Sequence, residues 1–219
     1  MRKGLLFVFG GLLIGVFNSC SGLLGGKDIT EGVIEYDITY PKLDPNNTLL
    51  FGMPSKAYLR FKDNNTSNDM SGMMGLFNIT FIANQKSQSV EQRLSLVGKK
   101  YTSNISSADL SRFNDSYVSS IEQGKGVTEI AGYKCKEALV KLMNGEQLKI
   151  YYTNDIGIEN SNWSNPYSTI NGVLMDFQME RYGITMHLKA KSVLEQTVDD
   201  EVFASSADST EYKHIPFSE

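Results

Sequence analysis

The residue types that most often catalyse reactions or bind metals are few and scattered in this sequence. The chain has two histidines, His187 and His214, and neither has cysteine or acidic residues at the spacing of a metal site. The acidic run from Asp199 to Glu201 is expected to cap a helix N-terminus near Phe203, since carboxylates favour that end of a helix. No stretch matches a nucleophile elbow or a phosphate-binding loop. We therefore expect a protein that is not an enzyme and that uses no metal and no cofactor.

Cys135 is the first of two cysteines to consider for thiol chemistry. Lys134 and Lys136 flank it, and neighbouring cations lower the pKa of a thiol and make it reactive. In a strand, however, Tyr133 and Cys135 lie on one face and the two lysines on the other. We therefore expect a buried, inert thiol, with a reactive thiol as the alternative.

The other cysteine, Cys20, ends a segment with the layout of a signal peptide. Arg2 and Lys3 precede an uncharged run of 14 residues at 4–17, and a membrane-spanning helix needs about 20 residues. A small Ser19 directly before the cysteine resembles a bacterial lipobox. We predict a signal peptide over residues 1–19 and lipid attachment at Cys20; a retained transmembrane helix and an unmodified cysteine are the alternatives.

The region after the signal peptide is predicted to contain a short anchor and one domain. Residues 20–31 form the lipidated cysteine and a Gly-rich tether, which reaches at most about 35 Å when extended. Acyl chains such as palmitate contribute about 0.8 kcal/mol per buried CH2, so the anchor holds the domain at its membrane. The formal net charge of −4 is spread along the chain without a basic stripe, which argues against nucleic acid. We expect a single domain over 32–219 in the cell envelope, at the outer membrane and facing the periplasm.

Alternation of apolar and polar residues with a period of two dominates this domain and predicts antiparallel strands. Asn144-Gly145 separates two alternating segments, as in a β-hairpin. A helical period occurs over about 108–122, with Ser106 or Ser107 as the N-cap. We predict a mainly β (α+β) fold with a curved antiparallel sheet of eight to nine strands and one or two helices. The alternating segments are 33–40, 56–62, 76–82, 90–102, 131–143, 147–153, 173–180 and 184–190.

Several short stretches, in this order and spacing, carry a family resemblance. They are Gly32–Tyr36, Ile130–Lys136, Ile150–Thr153, Gly172–Phe177 and Asp200–Phe203. Together they resemble uncharacterised exported lipoproteins of Bacteroidetes type, a GLPGLI-like group related to the LolA-like and LolB-like lipoprotein carriers. The resemblance implies a half-barrel with helices across its concave, apolar face, which in the carriers shelters acyl chains. No binding residue of the family transfers to this chain by position.

Two hypotheses about function follow. In the first, the half-barrel binds a lipid or other hydrophobic ligand in a cavity of roughly a few hundred Å³, and an adaptable loop with Met70, Met73 and Met74 lies over its mouth. In the second, the protein is a structural or interaction lipoprotein, with a packed core, an ordinary loop and an envelope protein as its partner. The expected lining of the cavity is apolar and consists of Phe61, Phe81, Leu96, Val140, Ile150, Phe177 and Leu188.

Overall fold

The computed structural model describes residues 29–207 and 209–217. The predicted signal peptide, Cys20 and most of the tether lie outside the described residues. Within them, no helix is long and apolar enough to span a bilayer. The described part contains twelve strands, one α-helix and three 3-10 helices. These are β1 (Glu31–Thr39), β2 (Lys56–Lys62), β3 (Asn65–Gly72), β4 (Phe77–Asn84), β5 (Ser89–Leu96), β6 (Lys99–Ile105), α1 (Ser107–Tyr117), β7 (Val118–Ile130), β8 (Tyr133–Leu142), β9 (Gln147–Thr153), β10 (Val173–Arg181), β11 (Ile184–Glu195), β12 (Lys213–His214), and the 3-10 helices Thr48–Phe51, Met73–Gly75 and Asp200–Phe203.

All twelve strands belong to one sheet with the order β12-β6-β5-β4-β3-β2-β1-β11-β10-β9-β8-β7. Neighbouring strands pair antiparallel, except that β12 runs parallel to β6. Strands β1 to β6 and β7 to β11 form two meanders, and the pairing of β1 with β11 joins them. The predicted mainly β class with a curved antiparallel sheet is therefore confirmed.

The predicted count of eight to nine strands is wrong, because three strands have weak alternation and a fourth was merged with its neighbour. Strand β3 is mostly polar, β7 contains Gly124 and Gly126, and β12 has two residues. The segment 90–102 is two strands, separated by a turn at Val97 and Gly98 with positive φ angles of 49° and 78°.

The predicted helix over about 108–122 is present but ends at Tyr117, where the chain continues directly into β7. The side chain of Ser106 caps its N-terminus by accepting a hydrogen bond from the Asp109 N–H at 3.1 Å, as predicted. Beyond Tyr117, Val118 and the serines that follow are weaker helix formers than leucine or alanine. The pairing of β7 with β8 therefore decides their conformation.

The sheet curls around one of its faces, which we call the inner face. Phe81 on β4 and Phe177 on β10 are five strand spacings apart in the sheet order, about 24 Å in a flat sheet. Both side chains nevertheless line the same cavity, which requires strong curvature. The main core lies on this face and includes the buried residues Ile34, Tyr36, Phe61, Val140, Ile150, Met175 and Leu188.

Two segments cover the inner face. Helix α1 connects β6 to β7, which lie near opposite edges of the sheet, and buries Leu110 and Phe113. The second segment is residues 154–172 between β9 and β10, which we call the covering loop. It buries Tyr167 in the main core.

The C-terminal region starts on the outer face. Val198 and Phe203 pack there against Val33, and Asp199 caps the 3-10 helix Asp200–Phe203 by accepting from the Glu201 N–H at 3.0 Å. The predicted capping near Phe203 is therefore confirmed.

Candidate ligand-binding cavity

A cavity of about 110 Å³ lies between the inner face, α1 and the covering loop. Its floor follows from the strand register: Leu59 on β2 pairs with Asn68 on β3, and Asn68 pairs with Phe81 on β4. Because directly opposite residues of antiparallel strands share a face, these three side chains point the same way. The other lining residues are Tyr36, Thr66, Met70, Ala83, Val90, Ile105, Leu110, Ser161, Asn162, Ser164, Asn165, Val173, Leu174, Phe177, Met179 and Arg181.

Polar groups on the floor break this mostly apolar lining. The Oδ1 atom of Asn68 is buried and accepts no hydrogen bond from the described residues. The same holds for Oε1 of Gln92 on the neighbouring strand β5, which pairs with Phe81 but does not border the cavity. A buried acceptor without a partner costs about 1–3 kcal/mol. Asn68 therefore suits a ligand that brings a hydrogen-bond donor into an apolar site.

One side of the lining carries a cation packed against aromatic rings. The guanidinium carbon of Arg181 lies 3.6 Å from the ring centroid of Phe113 on α1 and 5.2 Å from that of Phe81. Such cation–π contacts fix the arginine in place and connect α1 to the sheet.

Two tyrosine hydroxyls bond to strand β10, one from β1 and one from the covering loop. The Tyr36 hydroxyl donates to the Leu174 carbonyl oxygen at 2.8 Å, and the Tyr167 hydroxyl donates to the Gln178 carbonyl oxygen. Burial raises the pKa of Tyr36 and Tyr167, and burial raises that of Tyr117 to about 12. These phenols therefore stay neutral.

The described lining of the cavity is mostly apolar, and its polar side chains include serines, asparagines and Arg181. An apolar surface with a few fixed polar groups is the usual arrangement of a small-molecule site.

Of the ten residues predicted at the ligand site, seven as lining and three methionines over its mouth, three border the cavity, namely Met70, Phe81 and Phe177. Four others, Phe61, Val140, Ile150 and Leu188, are fully buried in the main core and do not border it, because neighbouring side chains fill the space around them. Leu96 lies at the exposed end of β5.

Met73 and Met74 lie away from the cavity, in the 3-10 helix between β3 and β4. Met74 is fully exposed, and the Met73 N–H donates to the Gly52 carbonyl oxygen at 2.9 Å. The segments over the cavity are instead the covering loop and α1. Sequence reasoning missed the covering loop because it has no periodic pattern.

The exposed methionines belong to a larger apolar surface, which we call the apolar end. It is formed by the loops that join β1 to β2, β3 to β4 and β5 to β6, and the Val97 N–H donates to the Leu76 carbonyl oxygen at 2.8 Å within it. It lies at the end of the sheet opposite Ile29, since β1 runs from Glu31 toward it. Its exposed side chains are Leu49, Phe51, Met73, Met74, Leu76, Leu96 and Val97.

Cys135 and the two histidines lie outside the cavity. Cys135 is buried, as predicted, and burial raises its thiol pKa to about 11. The Nε2 atom of His187 lies 2.6 Å from Oδ1 of Asp176 on the neighbouring strand. Thr39 Oγ1 lies 3.4 Å from the other ring nitrogen, which is long for a hydrogen bond. His214 is exposed on β12.

Comparisons with known proteins define the class only at the level of the fold. No family model matches the chain, and no curated protein matches it. The chain is similar to a solved structure of PNGF-II in the P21 space group, with a TM-score of 0.51, 15% identity and 86% of this chain covered. The structure of PNGF-II in the C2 space group gives a TM-score of 0.47, 13% identity and 85% coverage. The chain spans 32% of the PNGF-II chain in the first case and 31% in the second. At this identity the similarity concerns the fold alone: a mainly β protein with one curved sheet.

Proposed function

We propose that this protein is a membrane-anchored lipoprotein of the cell envelope that binds or carries a lipid or other hydrophobic ligand in its inner cavity. The observation that carries the proposal is the cavity itself, which is bordered by apolar side chains and one unpartnered acceptor on Asn68. The curved sheet with α1 and the covering loop over its inner face supports a half-barrel of the LolA-like and LolB-like kind.

The size of the cavity limits how the ligand binds. Its volume of about 110 Å³ lies below the roughly 300–1,000 Å³ of typical ligand sites and equals the liquid volume of about four water molecules. A long acyl chain therefore requires the segments over the inner face to move apart. We propose that such a movement accompanies ligand binding.

The lining residues have separate roles in this proposal. Leu59, Phe81 and Phe177 exclude water from the ligand, and burial of each ligand CH2 contributes about 0.8 kcal/mol. Asn68 accepts a hydrogen bond from a hydroxyl or amide of the ligand and so fixes its orientation.

The location of the protein also belongs to the proposal. Cys20 carries the acyl chains, and the tether places the start of β1 within reach of the membrane surface. Ile29, the first described residue, pairs with Ile156 of the covering loop, so the anchored end of the sheet is the end opposite the apolar end. We propose the outer membrane, with the domain facing the periplasm.

Native mass spectrometry with organic extraction tests the ligand. Residues 21–219 are purified from a bacterial periplasm, and we expect an acyl species at near one-to-one stoichiometry. Leu59→Trp places an indole ring in the cavity, where it occupies the space of the ligand, and should abolish this species. Leu139→Trp is the matched control, because Leu139 is 40% exposed and does not border the cavity. A bare protein mass that also takes up no added lipid contradicts the proposal.

The apolar end favours a second function, that of an interaction lipoprotein whose partner is another envelope protein. Seven large apolar side chains on three adjacent loops are exposed there, and contiguous exposed apolar surface marks interaction sites. In this case the double substitution Phe51→Ser and Met74→Ser abolishes cross-linking to the partner in intact cells, while the purified protein carries no acyl species. Loss of cross-linking in the Leu59→Trp variant instead would contradict this alternative.

A further inference from the structure

We propose that residues 211–217, which we call the strap, form a displaceable closure of the inner cavity and that release of the strap admits the ligand. The inference rests on the proposed ligand-binding function and adds a mechanism of access to the same site.

The path of the strap carries the argument. Strand β12 pairs in parallel with the edge strand β6, and the Ile215 N–H donates to the Thr102 carbonyl oxygen at 2.9 Å. Two residues later, Phe217 packs on the inner face, although Phe203 and Ser206 before the strap pack on the outer face. The chain therefore passes around the edge of the sheet from one face to the other.

The position of Phe217 connects the strap to the cavity. Its ring joins an apolar cluster whose buried members are Ala83, Val90, Ile105 and Leu110, and all four border the cavity. Trp163 of the covering loop packs against the same cluster. Phe217 does not itself line the cavity, but it packs against the part of the cavity wall where the covering loop faces strands β4 to β6.

The contacts of the strap are weaker than those of the segment before it. Lys100 and Glu211 form an ion pair of 2.7 Å whose side chains are 42% and 65% exposed, and exposed ion pairs contribute little to stability. The Tyr212 ring lies 5.6 Å from the charged groups of Arg93 and Lys100. Strand β12 adds only two residues to the sheet.

The segment before the strap, in contrast, is fixed to a buried carboxylate. Glu91 accepts hydrogen bonds from the Ser206 N–H at 3.0 Å and from the Ser205 hydroxyl at 3.0 Å. The strap can therefore detach while its base stays attached.

A disulfide across the strap tests the inference in the full chain with Cys20→Ser replacing the lipid anchor. Tyr101 and Lys213 are register partners on β6 and β12, and neighbouring strands place paired residues within disulfide reach. The double variant Tyr101→Cys and Lys213→Cys is titrated with cis-parinaric acid, a fluorescent fatty acid, in its oxidised and reduced forms. Because only strap-open molecules bind, we expect the oxidised form to bind about tenfold more weakly or less. Cys135 is buried and stays unmodified in both forms.

Phe217→Ala supplies a second variant and a readout that needs no ligand. Trp163 is the only tryptophan of the chain, so acrylamide quenching of its fluorescence reports whether Phe217 covers it. We expect stronger quenching and tighter cis-parinaric acid binding in Phe217→Ala than in the unsubstituted protein.

Equal affinity of the oxidised and reduced forms of the disulfide variant would overturn the strap as a gate, while the ligand-binding function stands. Binding by none of the forms, with Trp163 exposed in Phe217→Ala, would refute the ligand-binding function and the gate with it.

Discussion

Glu91 is the residue whose substitution tests the attachment of the C-terminal region most sharply. It lies on β5 and is 7% exposed. Its carboxylate joins the outer face of the sheet to Ser205 and Ser206, which lie before the strap in the sequence. We predict that Glu91→Gln lowers the free energy of unfolding and loosens this attachment.

The size of the effect follows from the hydrogen bonds to the carboxylate. Besides the Ser206 N–H and the Ser205 hydroxyl, it accepts from the Ser206 hydroxyl at 2.5 Å and from Arg93 Nε at 2.6 Å. A hydrogen bond to a charged group contributes about 1.5–3 kcal/mol. A glutamine keeps the shape and one acceptor, but it removes the charge and turns an NH2 group toward donors. We therefore expect a loss of about 2–3 kcal/mol, well below the sum of the separate bonds, because such contributions are not additive.

The pH dependence gives a second signature. Burial by itself raises the pKa of Glu91, but the hydrogen bonds from Ser206 and Arg93 together outweigh burial and hold the pKa below its usual value of 4.5. The ionised carboxylate therefore stabilises the folded state fully above about pH 4.5, and this stability is lost as the pH falls through the lower folded-state pKa. The difference between the unsubstituted protein and Glu91→Gln should be constant from pH 5 to pH 7 and shrink toward about pH 3.

Urea denaturation followed by circular dichroism at pH 7 and pH 3 measures both effects, with an unchanged m-value as evidence that the folded state is preserved. At pH 7 the expected loss corresponds to about 4–12 °C in Tm for a chain of this length. Glu122→Gln is the matched control, because Glu122 is exposed on β7, and it should change the free energy of unfolding by less than about 0.5 kcal/mol. Equal stability of Glu91→Gln and the unsubstituted protein at pH 7 would refute the reasoning.

The remaining predictions concern a buried thiol and a pair of methionines. Cys135 is buried with a thiol pKa raised to about 11, so Ellman's reagent at pH 8 should react with it only in denaturant, and rapid reaction of the folded protein would contradict its placement. Met70→Ala should lower the free energy of unfolding in urea by about 2–3 kcal/mol, since Met70 is buried at the cavity. Met74→Ala should change it by less than about 0.5 kcal/mol, since Met74 is fully exposed; equal losses for the two would contradict the structure.

The strands that could be predicted are those whose apolar residues alternate. Strand β3 shows why others could not, because six of its eight residues are Asn, Thr, Ser or Asp. It is a strand because β2 and β4 supply its hydrogen bonds on both sides. Pairing of this kind is set by the tertiary structure and leaves little trace in local sequence.

Strand β7 illustrates a second limit. Gly124 and Gly126 indicate a loop when read locally, yet the strand continues past them with a shift in register. A Cβ atom at Gly124 would lie 2.4 Å from Oε1 of Glu137 on β8. The glycines are there because a buried glutamate side chain lies against the backbone, and only the strand pairing reveals this contact.

The residues that border the cavity could be predicted only in part. Alternation identifies which side chains face inward, and Met70, Phe81 and Phe177 do border the cavity. It does not tell which inward side chains are packed on all sides, as Ile150 and Leu188 are. That difference depends on the covering loop and the strap, whose sequences have no period.

The two closures of the cavity differ in how firmly the structure holds them. In the covering loop, Asn162 is buried and donates to the carbonyl oxygens of Ile170 and Gly172 at 2.9 Å and 2.8 Å, and Tyr167 is bonded to β10. The Asn162 bonds fix the shape of the loop from within, whereas opening the loop would break the Tyr167 bond to β10 and expose Ile156, Ile158 and Ile170, which are buried in the main core. Burial of an isoleucine side chain contributes about 1.5–3 kcal/mol. Release of the strap breaks an ion pair that is already exposed and a stretch of edge pairing that is only two residues long. Because the cheaper motion dominates the open population, a ligand is expected to enter on the side of Phe217, with the covering loop as the fixed wall against which it binds.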